Sequence, residues 1–187
     1  MQNHTTGLRR SQEKQPVDPR PLILGALQLS HGILEQTMAD VTPEMAAKRL
    51  PGATIQSIAT IYAHAVLDED MMLHGMALGE APLYATGGWA AKSGVPVPPT
   101  PMITEDWAKS IEMNLPAFKE FATSMQAKVV ERIGKLTDAE LAKEIDGPLG
   151  KMTVAGLLTG LFQYHIAGHT GEIAALKGVM GAKGLPF

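Results

Sequence analysis

The chain has 187 residues, a net charge of −3 and 45% apolar residues; this is long and apolar enough for a buried core and lacks the basic stripe of a nucleic-acid binder. It has no cysteine, which excludes disulfides, thiolate metal sites and a cysteine nucleophile and fits a cytoplasmic protein. No run is apolar and long enough to cross a bilayer, so neither nucleic acid nor membrane is an expected partner.

Residues 1–18, MQNHTTGLRRSQEKQPVD, are polar and lack the apolar stretch of a signal peptide. They read as a flexible leader, with His4 a solvated bystander. Residues 19–187 are expected to form one helical domain. Asp18-Pro19 reads as an N-cap with proline at the first helical position. From there Leu22, Leu24, Leu27, Ile33, Leu34 and Met38 carry a first helix to about Ala39. Thr42-Pro43-Glu44 opens a short helical turn that closes at Leu50-Pro51-Gly52. Thr54 is the expected cap of a second long helix, with Ile58, Ile61, Tyr62, Ala65, Val66 and Met72 on its apolar face and a stop at Gly79.

Residues 79–103 are rich in glycine and proline and read as a long crossover loop. Within it Tyr84, Trp89 and Lys92 either cover a pocket mouth or, for Trp89, anchor the crossover to the side of the helices. Thr104 followed by Glu105 and Asp106 restarts a helix. Pro116 breaks or kinks it, and the apolar pattern resumes from Ala117 to Leu136. Thr137-Asp138-Ala139-Glu140 is a capping box opening a second short turn that ends near Ile145. Gly147-Pro148-Leu149-Gly150 follows, and Thr153 caps a last long helix running to about Lys177. The eleven methionines are assigned to core gaps or an oligomer face, and Trp107, Phe118 and Phe121 to the core or an interface.

The segments VTPEMAAKRL and LTDAELAKEI echo each other, each leading through a Pro/Gly turn into a threonine-capped helix. Two helical hairpins joined by the long loop follow from this echo. The expected fold is all-α, a four-helix bundle with its long crossover between the second and third long helices.

The last helix carries QYHIAGHTGEIAALKG, in which His165 and His169 lie four apart, about 6 Å along a helix axis. Their face also carries Val154, Leu158, Leu161, Ile173 and Leu176, so the imidazoles point inward and need partners there. Two readings are open on spacing alone. The pair can meet one metal ion, or each ring can bond a carbonyl or a tyrosine in the core. A third ligand has to come from another helix. His64, mid-helix in a run with few charges, is the best candidate; His31 lies on the first helix, and His74 sits near a helix end where exposure is expected. His165 to His169 lacks the glutamate of H-E-x-x-H, so the zinc-protease mechanism has no support. A zinc deaminase is excluded with the cysteines.

The first helix, PGATIQSIATIYAHAVLDED and HIAGHTGEIAALKG together resemble the DinB superfamily of four-helix-bundle metalloproteins, over nearly the whole chain after the leader. The resemblance implies that His64, His165 and His169 hold one divalent metal, zinc or nickel foremost, with iron and manganese as further candidates. Three neutral ligands leave open coordination positions and uncompensated charge, which acidifies a bound water or holds a thiolate. Glu172, on the same face, is read either as a catalytic base near the metal or as a surface carboxylate. Asp68 is read as an orienter of His64 or as a solvated charge. The expected activity is group transfer to or from a low-molecular-weight thiol, acting on a small-molecule substrate. The alternatives are a metal-dependent hydrolase and a non-catalytic metal-binding or stress-response bundle. A homodimer is expected through a helical face or the GLPF tail.

Overall fold

The computed structural model describes residues 17–187; residues 1–16 of the expected leader, His4 among them, lie outside the described part. The Asp18 carboxylate accepts the Arg20 backbone N–H at 3.0 Å and opens α1 (Arg20–Met38). Ile23, Leu27, His31, Leu34 and Met38 recur three or four apart and form its buried face. The helix ends on two lysine ammonium groups. Lys119 donates to the Met38 carbonyl and Lys177 to the Thr37 carbonyl, each at 2.6 Å. Both satisfy acceptors that a helix terminus leaves open. Lys177 is 2% exposed and also pairs with Asp40.

Thr42 caps α2 (Pro43–Ala47). The second long helix, α3 (Ile58–Asp70), starts from Ser57, whose side chain accepts from the Thr60 N–H. The expected Thr54 cap is therefore displaced by three residues, because Ser57 supplies the same oxygen closer to the apolar run. Every residue of α3 except His64 is buried. The chain continues as a π-helical segment (Met71–Leu78) and stops at Gly79, which has a left-handed φ of 69° that suits glycine alone.

The crossover holds two short helices, α4 (Leu83–Thr86) and α5 (Trp89–Ser93). Asp70 accepts the N–H groups of Leu83 and Tyr84 at 2.9 and 2.7 Å and ties the loop back to α3. The Tyr84 hydroxyl is buried and bonds Ser93 Oγ at 2.8 Å. Trp89 packs on Phe121 with ring centroids 5.3 Å apart, and Lys92 pairs with Glu120. These contacts hold the crossover to the next long helix. Thr104 caps α6 (Glu105–Ser110), and Asn114 caps α7 (Leu115–Gly134), with Pro116 in its first turn. The break precedes the proline, where a missing N–H costs nothing.

The capping box at Thr137 and Glu140 forms as the spacing requires and opens α8 (Asp138–Ala142). The all-α expectation then needs correction. Strands β1 (Glu144–Gly147) and β2 (Gly150–Thr153) pair antiparallel, Ile145 opposite Met152 and Gly147 opposite Gly150. Each strand has four residues and one inward apolar side chain, too little for a period-2 signal. The two-residue Pro148-Leu149 loop, followed by Gly150 at φ 103°, is what closes the hairpin. Thr153 then caps α9 (Val154–Gly156), and a π-helical segment (Leu157–Leu161) leads into α10 (Phe162–Val179).

Among the described residues the structure is thus mostly helical, with one small two-stranded sheet and four long helices. Helix α1 packs on α7 and α10, and α3 packs on the same two. Tyr62, Phe118, Phe121 and Phe162 are fully buried where these helices meet, each worth roughly 1.5–3 kcal/mol of burial for rings of this size. Among the described residues no helix is long and apolar enough to cross a membrane.

Candidate metal centre

His64 is the least buried residue of α3, and it faces α10. There His165 and His169, one turn apart, present their rings to it. The three ring centroids lie 4.7, 4.8 and 4.4 Å from one another in edge-to-face pairs. One ligand atom from each ring falls within 4.8 Å of the other two, so the group could hold a metal ion. His64 Nε2 and His165 Nε2 are 3.1 Å apart. Two nitrogens bonding one ion at roughly 2.0–2.1 Å in tetrahedral geometry sit about 3.3 Å apart, so the observed spacing suits a shared ion.

Carboxylates surround the rings. Asp68 Oδ1 lies 3.4 Å from His64 Nδ1, and its Oδ2 lies 3.4 Å from His165 Nε2. Burial pushes the Asp68 carboxyl up, but hydrogen bonding and attraction from His165 and His64 outweigh it, leaving the pKa below the ordinary value. Glu172 Oε2 accepts from His169 Nδ1 at 2.6 Å. That leaves Nε2 as the free nitrogen of His169. Burial lowers the His169 pKa; the Glu172 hydrogen bond opposes this, and repulsion by His165 and His64 adds to it. A lowered pKa keeps the ring neutral near pH 7 and its lone pair available.

His165 Nδ1 is buried without a hydrogen-bond partner, and its Nε2 is shared between His64 and Asp68. Protein groups alone thus leave this ring's bonding incomplete. The donor set of three imidazoles, with carboxylates on two of them, matches the ligand and outer-shell pattern of an imidazole-bound divalent ion. The residues fit a metal.

The rings open onto a cavity of about 330 Å³. Its walls are apolar, formed by Met71, Met72, Met76, Met102, Leu161 and the prolines 101 and 148. Both π-helical segments border it, the first contributing the helical methionines and the second Leu161. A π turn takes in extra residues, which shifts the side chains beyond it; such segments recur at functional sites. The sequence reading missed these methionines, assigning them to core gaps or an oligomer face. The signal available was their density in MMLHGM, residues 71–76.

The rival histidines lie elsewhere. His31 Nε2 bonds Glu69 Oε2 at 2.6 Å, both side chains buried. His74 Nδ1 bonds Asp70 Oδ1 at 2.8 Å. His74 is 5% exposed, against the expectation of exposure, because the crossover folds back over this end of the helix. Tyr84, Trp89 and Lys92 do not line the cavity; Pro101 and Met102, later in the same crossover, do.

No protein-family model and no curated protein matches the sequence. A solved structure of a conserved protein from Enterococcus faecalis is similar, with a TM-score of 0.73 over 89% of this chain and 99% of that one at 17% identity. At that identity the likeness extends to the fold alone.

Proposed function

We propose that the chain is a DinB-like four-helix bundle, α1, α3, α7 and α10 being its long helices, and that His64, His165 and His169 bind one divalent metal ion for catalysis on a small molecule. The convergence of three imidazoles on one point at the floor of an apolar cavity carries this reading. A divalent ion there would supply Lewis acidity, lowering the pKa of a thiol or water bound to it. The chain's own residues then divide the remaining work. Asp68 lies closest to the paired Nε2 atoms and can accept a proton from an incoming nucleophile. Glu172, named from the sequence as the catalytic base, bonds the outer nitrogen of His169 and orients that ring, so Asp68 is favoured as the base. The methionine walls exclude water from the reacting groups.

The reaction class follows the nucleophile: transfer to or from a thiol, or hydrolysis if water serves. Elemental analysis of protein purified without added metal, then binding of zinc, nickel, iron and manganese to wild type and His165→Ala, tests the centre. Stoichiometric metal that the variant fails to hold is the expected result. No metal above background, with equal affinity in the variant, would end the proposal. Assays of metal-loaded protein on esters and alkyl halides, with and without a low-molecular-weight thiol, separate the two reactions. If metal raises the melting temperature and no substrate turns over, the non-catalytic bundle is the correct reading.

A homodimer has its own support. Between Pro21 and Leu34 there is no Asp, Glu, Lys or Arg, yet Leu22 and Leu29 on this helix are exposed. On the adjacent α10, Tyr164 is also exposed. Gly25, Gly32, Gly168 and Gly171 lie within α1 and α10, and an added Cβ at any of them would meet nothing within 4 Å. Each costs about 1 kcal/mol of helix propensity with no internal contact in return. Close approach of a second copy across this face accounts for them. Sedimentation should give twice the 19.9 kDa chain mass, and Leu29→Glu with Tyr164→Glu should give the monomer; a monomeric wild type overturns the dimer.

A further inference from the structure

The walls of the histidine cavity differ in kind from those of two larger clefts. One cleft of about 490 Å³ is lined by Arg49, Lys109 and Glu112 among others. Another, about 430 Å³, is lined by Asp18, Arg20 and Asp138 among others. Both can take polar or charged groups. The histidine cavity has no lysine or arginine in its lining, and Asp68 is its one carboxylate. Away from the rings, every lining side chain is methionine, leucine or proline. Met71 also lines a second, small cavity of about 110 Å³, mostly apolar, with Asp70 and Tyr84 in its lining beside Leu67, Pro82 and Val97. A flexible methionine thus stands between two apolar spaces.

An anionic group lodged against the methionine, leucine and proline walls, away from the rings, would lose its hydration and meet no cationic side chain among the lining residues. A hydrocarbon body gains by taking its apolar surface out of water there. The volume, near the lower end of the roughly 300–1,000 Å³ usual for small-molecule sites, admits a compact ligand.

We infer that the cavity takes a small, uncharged, apolar molecule bearing a single donor atom that faces the three histidines, and that it rejects thiols carrying carboxylates. The inference rests on the metal-centre reading and narrows its thiol arm: with its sulfur on the ion, a peptide-like anionic thiol finds no lysine or arginine in the lining to receive its carboxylates.

The test uses the full chain loaded with cobalt(II), whose thiolate charge-transfer absorption reports direct ligation. Benzyl mercaptan, mercaptosuccinate and glutathione are titrated in turn at pH 7.5 and fixed ionic strength. Benzyl mercaptan is expected to bind at least tenfold more tightly than either anionic thiol. In Met102→Lys, altered at an exposed position of the rim, the affinity for mercaptosuccinate should rise several-fold relative to that for benzyl mercaptan; an unchanged ratio of the two counts against the inference. Equal or tighter binding of the anionic thiols by wild type overturns the inference while leaving the metal centre standing. Failure of cobalt to bind wild type but not a folding defect, checked by circular dichroism, overturns the metal centre instead, and with it this inference.

Discussion

Two kinds of histidine–carboxylate cluster are built on the same helix, and they do different things. Asp68, Glu69 and Asp70 follow one another at the end of α3 and point in three directions. Glu69 meets His31 and Asp70 meets His74, each as a buried pair with a short hydrogen bond. Asp68 meets two rings, His64 and His165, both at 3.4 Å, with a third ring beside them and a cavity in front. In the closed pairs the carboxylate takes up a ring nitrogen, and the result is a fastening between elements. In the open cluster three rings pool their free nitrogens at one point. Burial of a histidine beside an acid is therefore a poor marker of a metal centre; several unclaimed nitrogens facing a cavity are a better one.

The largest expected effect breaks a closed pair. His31→Ala leaves Glu69 buried without its partner, and Glu69 Oε1 is already unpartnered. Loss of about 3 kcal/mol of stability is expected, measured by urea denaturation, with metal affinity unchanged. A drop in metal affinity with stability intact would merge the two kinds of cluster. His64→Ala breaks the open one. Metal affinity should fall more than about 100-fold, beyond the roughly 10–100-fold typical of an outer-shell loss, while the metal-free protein keeps most of its stability; competition with a chromogenic chelator measures it.

Milder changes sharpen the contrast. Glu172→Gln keeps the shape but weakens the bond that orients His169, and a loss of roughly tenfold in metal affinity is expected. If affinity is unmoved in a calorimetric titration, Glu172 is only a surface carboxylate. The smallest effect is a difference in pH dependence between the neighbours Asp68 and Glu69 in the metal-free protein. Burial raises the Glu69 pKa above its ordinary 4.5 against the opposing pull of His31. Its favourable contribution is then complete below pH 4.5 and is lost as pH rises through the folded-state value. The Asp68 pKa lies below its ordinary 3.8, so its contribution is present above that pH and is lost as pH falls through the folded-state value. Denaturation from pH 3 to 7 should show Glu69→Gln flattening the upper limb of the stability profile and Asp68→Asn the acid limb. The same limb flattened by both variants would contradict the opposite environments.

Much of the helical layout was legible in the residues. Thr42, Thr104, Thr137 and Thr153 each cap a helix start, because a short side-chain oxygen ahead of an apolar run satisfies the open N–H groups wherever it occurs. Gly79 ends its helix for an equally local reason. The hairpin at residues 144–153 was not legible, since strands of four residues carry no usable period and depend on each other's hydrogen bonds. The π-helical segments were hidden too: MMLHGM reads as ordinary helix until packing decides which carbonyl each N–H reaches.

The sequence by itself determined where most long helices start and stop, that His165 and His169 share a face, and that no thiol chemistry comes from cysteine. Only the tertiary structure decided which other histidine joins them. His31, His64 and His74 all sit on helices and all have an acid within reach, so local pattern cannot rank them. The packing of α3 against α10 brings His64 to the rings of His165 and His169, while α1 brings His31 to Glu69 and the crossover covers His74 beside Asp70.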